Sequence, residues 1–144
     1  MTVPSADTLL MDAAEVDAFI AAAFPEVPDD RRSRIASARP GHVRMTMMPD
    51  ASHLRPGGIV SGPTQMALAD HVAYALVLAH IGPVAMAVTS ALTVHFLRAC
   101  PPMLLTADAR LLRLGKRLIV SDVQIWTDGP DRPVAQASVT YIVP

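Results

Sequence analysis

The spacing of apolar positions changes character three times along the chain. Val16, Ile20 and Ala23, with Phe19 and Phe24 beside them, recur at helical spacing. Asp12 and Glu15 ahead of them predict a capping box, and Pro25 ends the helix. Residues 34–38 and 43–48 are short extended runs around Arg39-Pro40-Gly41-His42, which predicts a hairpin with a proline-led turn. Residues 49–62, rich in glycine and proline, read as a loop leading directly into a long helix. In the stretch from Pro63 to Ile81, 13 of 19 residues are apolar and lie nearly all round the helix. Pro63 suits the first helical position, where a missing N–H costs nothing.

After Gly82-Pro83 the period falls to two. Met86, Val88, Leu92, Val94 and Phe96 are expected on one side of a strand, with Ser90 the exception, and Thr89, Ala91, Thr93 and His95 on the other. Cys100-Pro101-Pro102 ends it. Met103 to Leu114, Arg117 to Thr127 and Pro133 to Val143 then predict an antiparallel meander, turning at Gly115-Lys116 and Asp128-Gly129-Pro130. A helix apolar on nearly every side must be covered on most of them. The expected fold is therefore α+β: a curved antiparallel sheet wrapped around one central helix, with a second helix at the N-terminus. Residues 1–144 read as a single domain, with 1–11 a loose arm.

Composition narrows the function. The chain has 144 residues, 17% of them charged, with a net charge of −1. A near-neutral chain without a basic face argues against nucleic-acid binding. So few charges leave little polar material to cover a small domain, which points to self-association. One cysteine, Cys100, excludes an internal disulfide and a cysteine zinc cluster. No secretory leader is visible, and Gln65, Asp70, His71 and His80 interrupt the longest apolar run, so a membrane span is not expected. A cytoplasmic protein is.

Asp70 is the most informative residue. In the middle of the most apolar helix its carboxylate must be solvated by a cleft, paired or protonated. It could hold the helix in register through a hydroxyl or an amide; equally, it could be a general base or nucleophile. Gly57-Gly58 and Gly62-Pro63 precede the helix, where free N–H groups and the dipole suit a developing oxyanion. Pro63 has no N–H, so Gly62 is the best-placed donor, with Thr64 next. His71 is about 100° round the helix from Asp70 and does not share its face. His42, His53, His80 and His95 form no i, i+4 ligand pair, so no metal is expected. Ser61 is not in a nucleophile elbow, and no phosphate or dinucleotide fingerprint is present. Arg98, Lys116 and Arg117 are cations near strand ends; they could solvate an edge or hold a phosphate-rich handle.

The stretch from Arg55 to Asp70, with Ser61-Gly62-Pro63 followed by Leu68-Ala69-Asp70, resembles the PaaI-like acyl-CoA thioesterases of the hotdog fold. Ala87-Val88-Thr89-Ser90, Val94 to Arg98 and the Leu114 to Leu118 turn resemble them too, in the same order. The resemblance implies a five- or six-stranded sheet curled around the helix, and a dimer, often paired again into a tetramer. It implies that Asp70 acts as base or nucleophile, that the Gly62 amide polarises the thioester carbonyl, and that Thr89 or Ser90 assists the water. Arg98, Lys116 and Arg117 would bind the coenzyme A phosphates. Ser61, Arg55, Met66 and Tyr74 would line the substrate, Met66, Tyr74 and Met47 walling the acyl tunnel. No cofactor is implied, since coenzyme A is part of the substrate. The chain departs from the pattern that the resemblance implies at three places: Ser61 stands for a histidine, Pro63 for a glycine and Arg55 for an asparagine, whose role His53 or Gln65 would have to take.

The leading expectation is hydrolysis of acyl-CoA or acyl-carrier-protein thioesters. The alternatives are a hotdog protein that binds acyl-CoA without hydrolysis, and a hotdog enoyl-CoA hydratase or dehydratase. One distance constrains the first. Gly62 and Asp70 are eight residues apart, roughly 12 Å along a helix axis. One chain cannot easily present both groups to one thioester, whereas two antiparallel helices across a two-fold axis can. Composite sites in a homodimer are therefore expected.

Overall fold

The computed structural model describes residues 4–28 and 32–144. Helix α1 (Ala13–Ala23) is followed by strands β1 (Arg34–Arg39) and β2 (His42–Met47). A 3-10 turn (Ala51–His53) and the two-residue strands β3 (Leu54–Arg55) and β4 (Ile59–Val60) lead into helix α2 (Gly62–Ile81). Strands β5 (Val88–Phe96), β6 (Leu105–Leu114), β7 (Leu118–Trp126) and β8 (Ala135–Ile142) complete the chain. The six long strands form one antiparallel sheet in the order β1-β2-β6-β7-β8-β5, with α2 packed on one face. This is the α+β hotdog architecture expected from the sequence.

The local signals act as they should. Asp12 caps α1 through the Glu15 amide, and the Glu15 side chain accepts from the Asp12 amide, completing the box. Pro40 and Gly41 make the β1–β2 turn, with Gly41 at φ +77°, a conformation glycine enters without steric cost. From Val72 to His80 every residue of α2 is buried, because the concave face of the sheet covers most of the helix.

Four expectations need correction. The segment read as a loop carries the 3-10 turn and the small β3–β4 hairpin. The end of the supposed loose arm is docked: the Leu10 and Met11 amides both donate to the Ala79 carbonyl at the end of α2, and Met11 is buried. (Residues 1–3 of that arm lie outside the described residues.) The link between β7 and β8 is not a tight turn but spans residues 127–134. Finally, β5 does not alternate cleanly. Its pairing with β8 slips by one residue between Thr89 and Ala91, so Ser90 is an extra residue in a bulge. The slip reverses the phase: Thr89 pairs with Tyr141 and Leu92 with Val139, both buried inward-facing residues of β8, so Thr89 and Leu92 share the inner face.

Strand β5 is an open edge. Along its nine residues only Leu92 and Val94 are even half-buried, while Val88 and Phe96 are each at least half exposed. A long, apolar, unpaired edge invites pairing with another chain.

His80 ties the helix to the hairpin. It is fully buried, its Nδ1 donating to the Leu76 carbonyl and its Nε2 accepting from the Gly41 amide, both at 2.8 Å. Replacing His80 by Leu keeps the bulk but strands the Gly41 N–H. A loss of roughly 1–3 kcal/mol in urea-unfolding free energy is expected.

Candidate active site

The amides at the start of α2 are held by a network built from its flanking loop. The Val60 amide donates to the Cys100 carbonyl at 2.8 Å and the Ser61 amide to the His53 carbonyl at 2.9 Å. Ser61 is the N-cap: its Oγ accepts from the Thr64 amide and bonds the Thr64 hydroxyl, which also donates to the His53 carbonyl. Gly62 is the first helical residue, and its N–H donates to no protein group among the described residues. A Cβ at Gly62 would sit 3.3 Å from the Phe96 ring, so the absence of a side chain is what lets the end of β5 pack this close to the start of α2.

Two turns along, Asp70 is half-buried on the side of α2 facing β5 and β8. Its Oδ1 accepts from the Thr89 hydroxyl at 2.6 Å and from the Tyr141 phenol at 2.8 Å. The Tyr141 hydroxyl also lies 3.2 Å from the Asp70 carbonyl oxygen. Oδ2 accepts from no described group. One carboxylate oxygen is thus fixed by two donors and the other left open. Burial, reinforced by the Asp70 charge and only partly offset by the bond with Thr89, pushes the Tyr141 phenol well above its usual range, so it stays protonated and donating. Tyr74, one turn beyond Asp70, stacks on Tyr141 with ring centroids 5.8 Å apart and reaches the Ala85 carbonyl.

The expected site residues divide accordingly. The fold brings Asp70 and Thr89 together but leaves Ser90 in the exposed bulge. Ser61 works as a cap. Arg55 is exposed on β3, its guanidinium donating to the neighbouring Pro56 carbonyl. Gln65 is buried, donating to the Val60 carbonyl, and its Oε1 meets no donor among the described residues. Met66 stands exposed one turn before Asp70, whereas Tyr74 is buried beneath it as packing. Arg98 follows β5 at the Gly62 end. Lys116 and Arg117 precede β7 at the opposite end, where Leu118 pairs with Ile142 and Ile142 with Val88. The nine residues of β5 between those ends span roughly 26 Å, so one chain does not gather these three cations.

Sequence reading missed Tyr141 and Phe96. Tyr141 is a strand aromatic that looks like core until its register opposite Thr89 is known. Phe96 keeps the side of β5 expected for it with Leu92 and Val94, and stands half exposed with its ring against Gly62. His71 points away from Asp70 as expected. It packs on Phe24 at 5.9 Å, where desolvation lowers its pKa, the Asp70 charge opposing this in part. Among the described residues no group of three or more His, Cys, Asp or Glu could hold a metal, and no helix is long and apolar enough to cross a membrane.

The sequence model of the thioesterase superfamily matches residues 57–141, a span holding both Gly62 and Asp70. A Silicibacter protein described as a candidate thioesterase is 38% identical, the match covering 97% of this chain and 96% of that one, with a TM-score of 0.86. A hypothetical thioesterase of Streptococcus pneumoniae, solved with coenzyme A, is 26% identical over 78% of this chain and 88% of its own, with a TM-score of 0.68. The PaaI protein of E. coli, from a phenylacetic acid degradation operon, shares the fold at 24% identity, over 92% and 96% of the two chains, with a TM-score of 0.73. No curated protein matches the sequence.

The elevated Tyr141 pKa gives stability a pH dependence. In the unfolded chain the phenol ionises near 10.0, while in the folded chain it stays protonated to higher pH. Its contribution is complete below that value and is lost as pH rises toward the folded pKa. Tyr74, and Cys100 (pushed up to about 11 by burial), act with the same sign. Urea midpoints measured from pH 8 to 11 should therefore fall on the alkaline side, and the fall should be shallower in Tyr141→Phe than in the parent protein.

Proposed function

The chain belongs to the thioesterase superfamily as a PaaI-like hotdog protein, and from that premise we propose that it hydrolyses acyl-CoA thioesters. The observation that carries the reading is the pairing of an open helix-start amide at Gly62 with a carboxylate, Asp70, whose Oδ2 is unengaged while Oδ1 is held by Thr89 and Tyr141. The coenzyme A bound to the Streptococcus pneumoniae relative supports the substrate class.

In this mechanism Asp70 Oδ2 takes a proton from water as the water oxygen bonds to the thioester carbon. The carbonyl electrons move onto oxygen, and the Gly62 N–H and the dipole of α2 hold the oxyanion. Collapse of the intermediate re-forms the carbonyl, breaks the C–S bond and returns the proton from Asp70 to the sulfur. The products are a carboxylic acid and coenzyme A. Thr89 and Tyr141 are positioning residues; they aim the carboxylate and stabilise its charge.

The same reading makes the site composite. Gly62 and Asp70 of one chain are separated by two helical turns, so the carbonyl held by one protomer's Gly62 meets the partner subunit's Asp70. The exposed edge of β5 supports pairing of two sheets into one across a two-fold axis. In that antiparallel arrangement the Arg98 end of one protomer lies beside the other end of its mate, the end that carries the cationic turn. That would bring these cations together for the coenzyme A phosphates. A further pairing into a tetramer, and a cytoplasmic setting, go with this reading.

Asp70→Asn keeps shape and removes the base; hydrolysis of a cognate acyl-CoA should fall by at least ~10²-fold, the usual scale for a positioned general base. Near-parental turnover in the folded variant would remove Asp70 from the chemistry. If several acyl-CoAs bind to the parent protein and none is hydrolysed above the buffer rate, the protein is a binder instead.

The composite arrangement has its own test. Gly62→Val and Asp70→Ala should each be nearly inactive. Mixed in equal amounts and allowed to exchange subunits, they should regain roughly a quarter of parental activity, since half the random dimers are mixed and each of those has one intact site of two. No recovery after demonstrated exchange would mean that both groups act within one chain.

A further inference from the structure

Strand β5 turns one edge away from its own sheet, and its backbone restricts how a second chain can pair there. The Leu97 amide donates to the Val134 carbonyl at 2.8 Å, one step beyond the pairing of Phe96 with Ala135. In an antiparallel ladder, residues that bond one neighbour alternate with residues that bond the other. From Ala91 to Leu97 the odd-numbered residues therefore direct their amides and carbonyls to β8, and Leu92, Val94 and Phe96 direct theirs to the open edge. The side chains of these same three residues lie on the inner face, opposite Val139, Ala137 and Ala135. The inner face of β5 also touches both groups of the proposed chemistry. Thr89, near its start, donates to Asp70, and the Phe96 ring, at its end, lies against Gly62.

We propose that two copies of this chain pair through β5 in one register, with Thr93 of each chain on the two-fold axis. The inference rests on the composite-site reading and specifies the seam which that reading requires. Keeping both α2 helices on one side of a continuous sheet needs an axis normal to the sheet, so the two β5 strands run antiparallel. Edge backbone groups must meet edge backbone groups, and inner faces must meet inner faces. That leaves only registers with a residue, rather than a gap between residues, on the axis. With Leu92 on the axis, only residues 91–93 pair before the bulge at Ser90 interrupts the ladder. With Val94 on the axis, pairing is longer, but Phe96 stands three residues, roughly 10 Å, from the level of the partner's Thr89. An amide and a carboxylate that each reach one carbonyl or its attacking water through contacts of about 3 Å do not span that offset. With Thr93 on the axis, residues 91–95 pair without interruption, and Leu92 and Val94 exchange edge hydrogen bonds across the seam. Phe96 then comes opposite the partner's Ser90, next to the partner's Thr89. Gly62 of one chain and the partner's Asp70 thus share one end of the seam. The side chains suit this register: Thr93 meets its twin on the outer face, and His95 lies opposite the small side chain of the partner's Ala91.

Cross-linking reads the register directly. Cys100 is buried, so a thiol introduced at the edge is the accessible one. Thr93 is exposed, and across a non-hydrogen-bonded antiparallel pair its Cα lies about 4.5 Å from its twin, within the roughly 4.4–6.8 Å that a disulfide bridges. In the two neighbouring registers the same atoms are roughly 8 Å apart, beyond that reach. On oxidation with copper phenanthroline, Thr93→Cys should run mostly as a covalent dimer on a non-reducing gel. Leu92→Cys and Val94→Cys should stay largely single chains. Linkage through Leu92→Cys or Val94→Cys in place of Thr93→Cys overturns the register. So does a parent protein that sediments as a monomer at micromolar concentration, or as a dimer that none of the three variants links. The gel needs no catalysis. A linked Thr93→Cys dimer that cleaves no acyl-CoA upholds the seam, and the hydrolytic reading alone then fails. Hydrolysis by a protein that does not link at Thr93 removes the seam and leaves the hydrolytic reading standing.

Discussion

A carboxylate in the most buried helix of the protein sets the terms for everything around it. Asp70 lies between Ala69, which is fully buried, and the run from Val72 to His80, all of it buried. Leaving its charge unpartnered there would cost several kcal/mol, so the fold must deliver donors to it. They come from the sheet: Thr89 on the edge strand and Tyr141 on the strand beside it, both meeting the same oxygen. The rotation of α2, the β5–β8 register and the bulge at Ser90 are therefore one problem with one solution. Without the extra residue, Thr89 would follow the alternation set by Leu92 and Val94 and face outward, and Asp70 would lose half its support.

The start of the same helix is organised in the opposite way. Donors there are abundant and acceptors are supplied selectively. The Ser61 side chain takes the Thr64 amide, while the His53 and Cys100 carbonyls take the amides of Ser61 and Val60. The amide left over is that of Gly62, which Phe96 approaches closely because no Cβ intervenes. Departures from the family pattern fall in this shell. Where the resemblance implies a histidine, Ser61 acts as a cap, and Arg55 stays in solvent. The carboxylate and the open amide are retained, and the chemistry attributed to the protein uses only those two. A rigid helix separates them by two turns, which is the physical reason the proposed site belongs to a pair of chains.

Helix α2 also divides space. Its Asp70 side meets β5 and β8, and its Thr64, Leu68 and His71 side borders a hollow lined also by Ile20 and Phe24 of α1.

Much of this was legible in the linear sequence, for reasons that are local. The cap at Asp12, the stop at Pro25, the Pro40-Gly41 turn, the limits of α2 and the meander strands depend on interactions within a few residues, so periodicity and turn chemistry report them. Asp70 and Gly62 stood out because a charge in an apolar helix and a glycine at a helix start conflict with their local surroundings. Tertiary structure alone decided what those residues meet. Tyr141 reaches Asp70 across 71 positions of sequence, through a strand register that no local pattern records. The bulge at Ser90 reverses which side of β5 faces the helix, and one extra residue in a strand leaves almost no mark on composition. The docking of Leu10 and Met11 onto Ala79, and the hollow between α1 and α2, exist only once separate elements are brought together. Their energetics lie in contacts between distant segments, which a sequence contains but does not display.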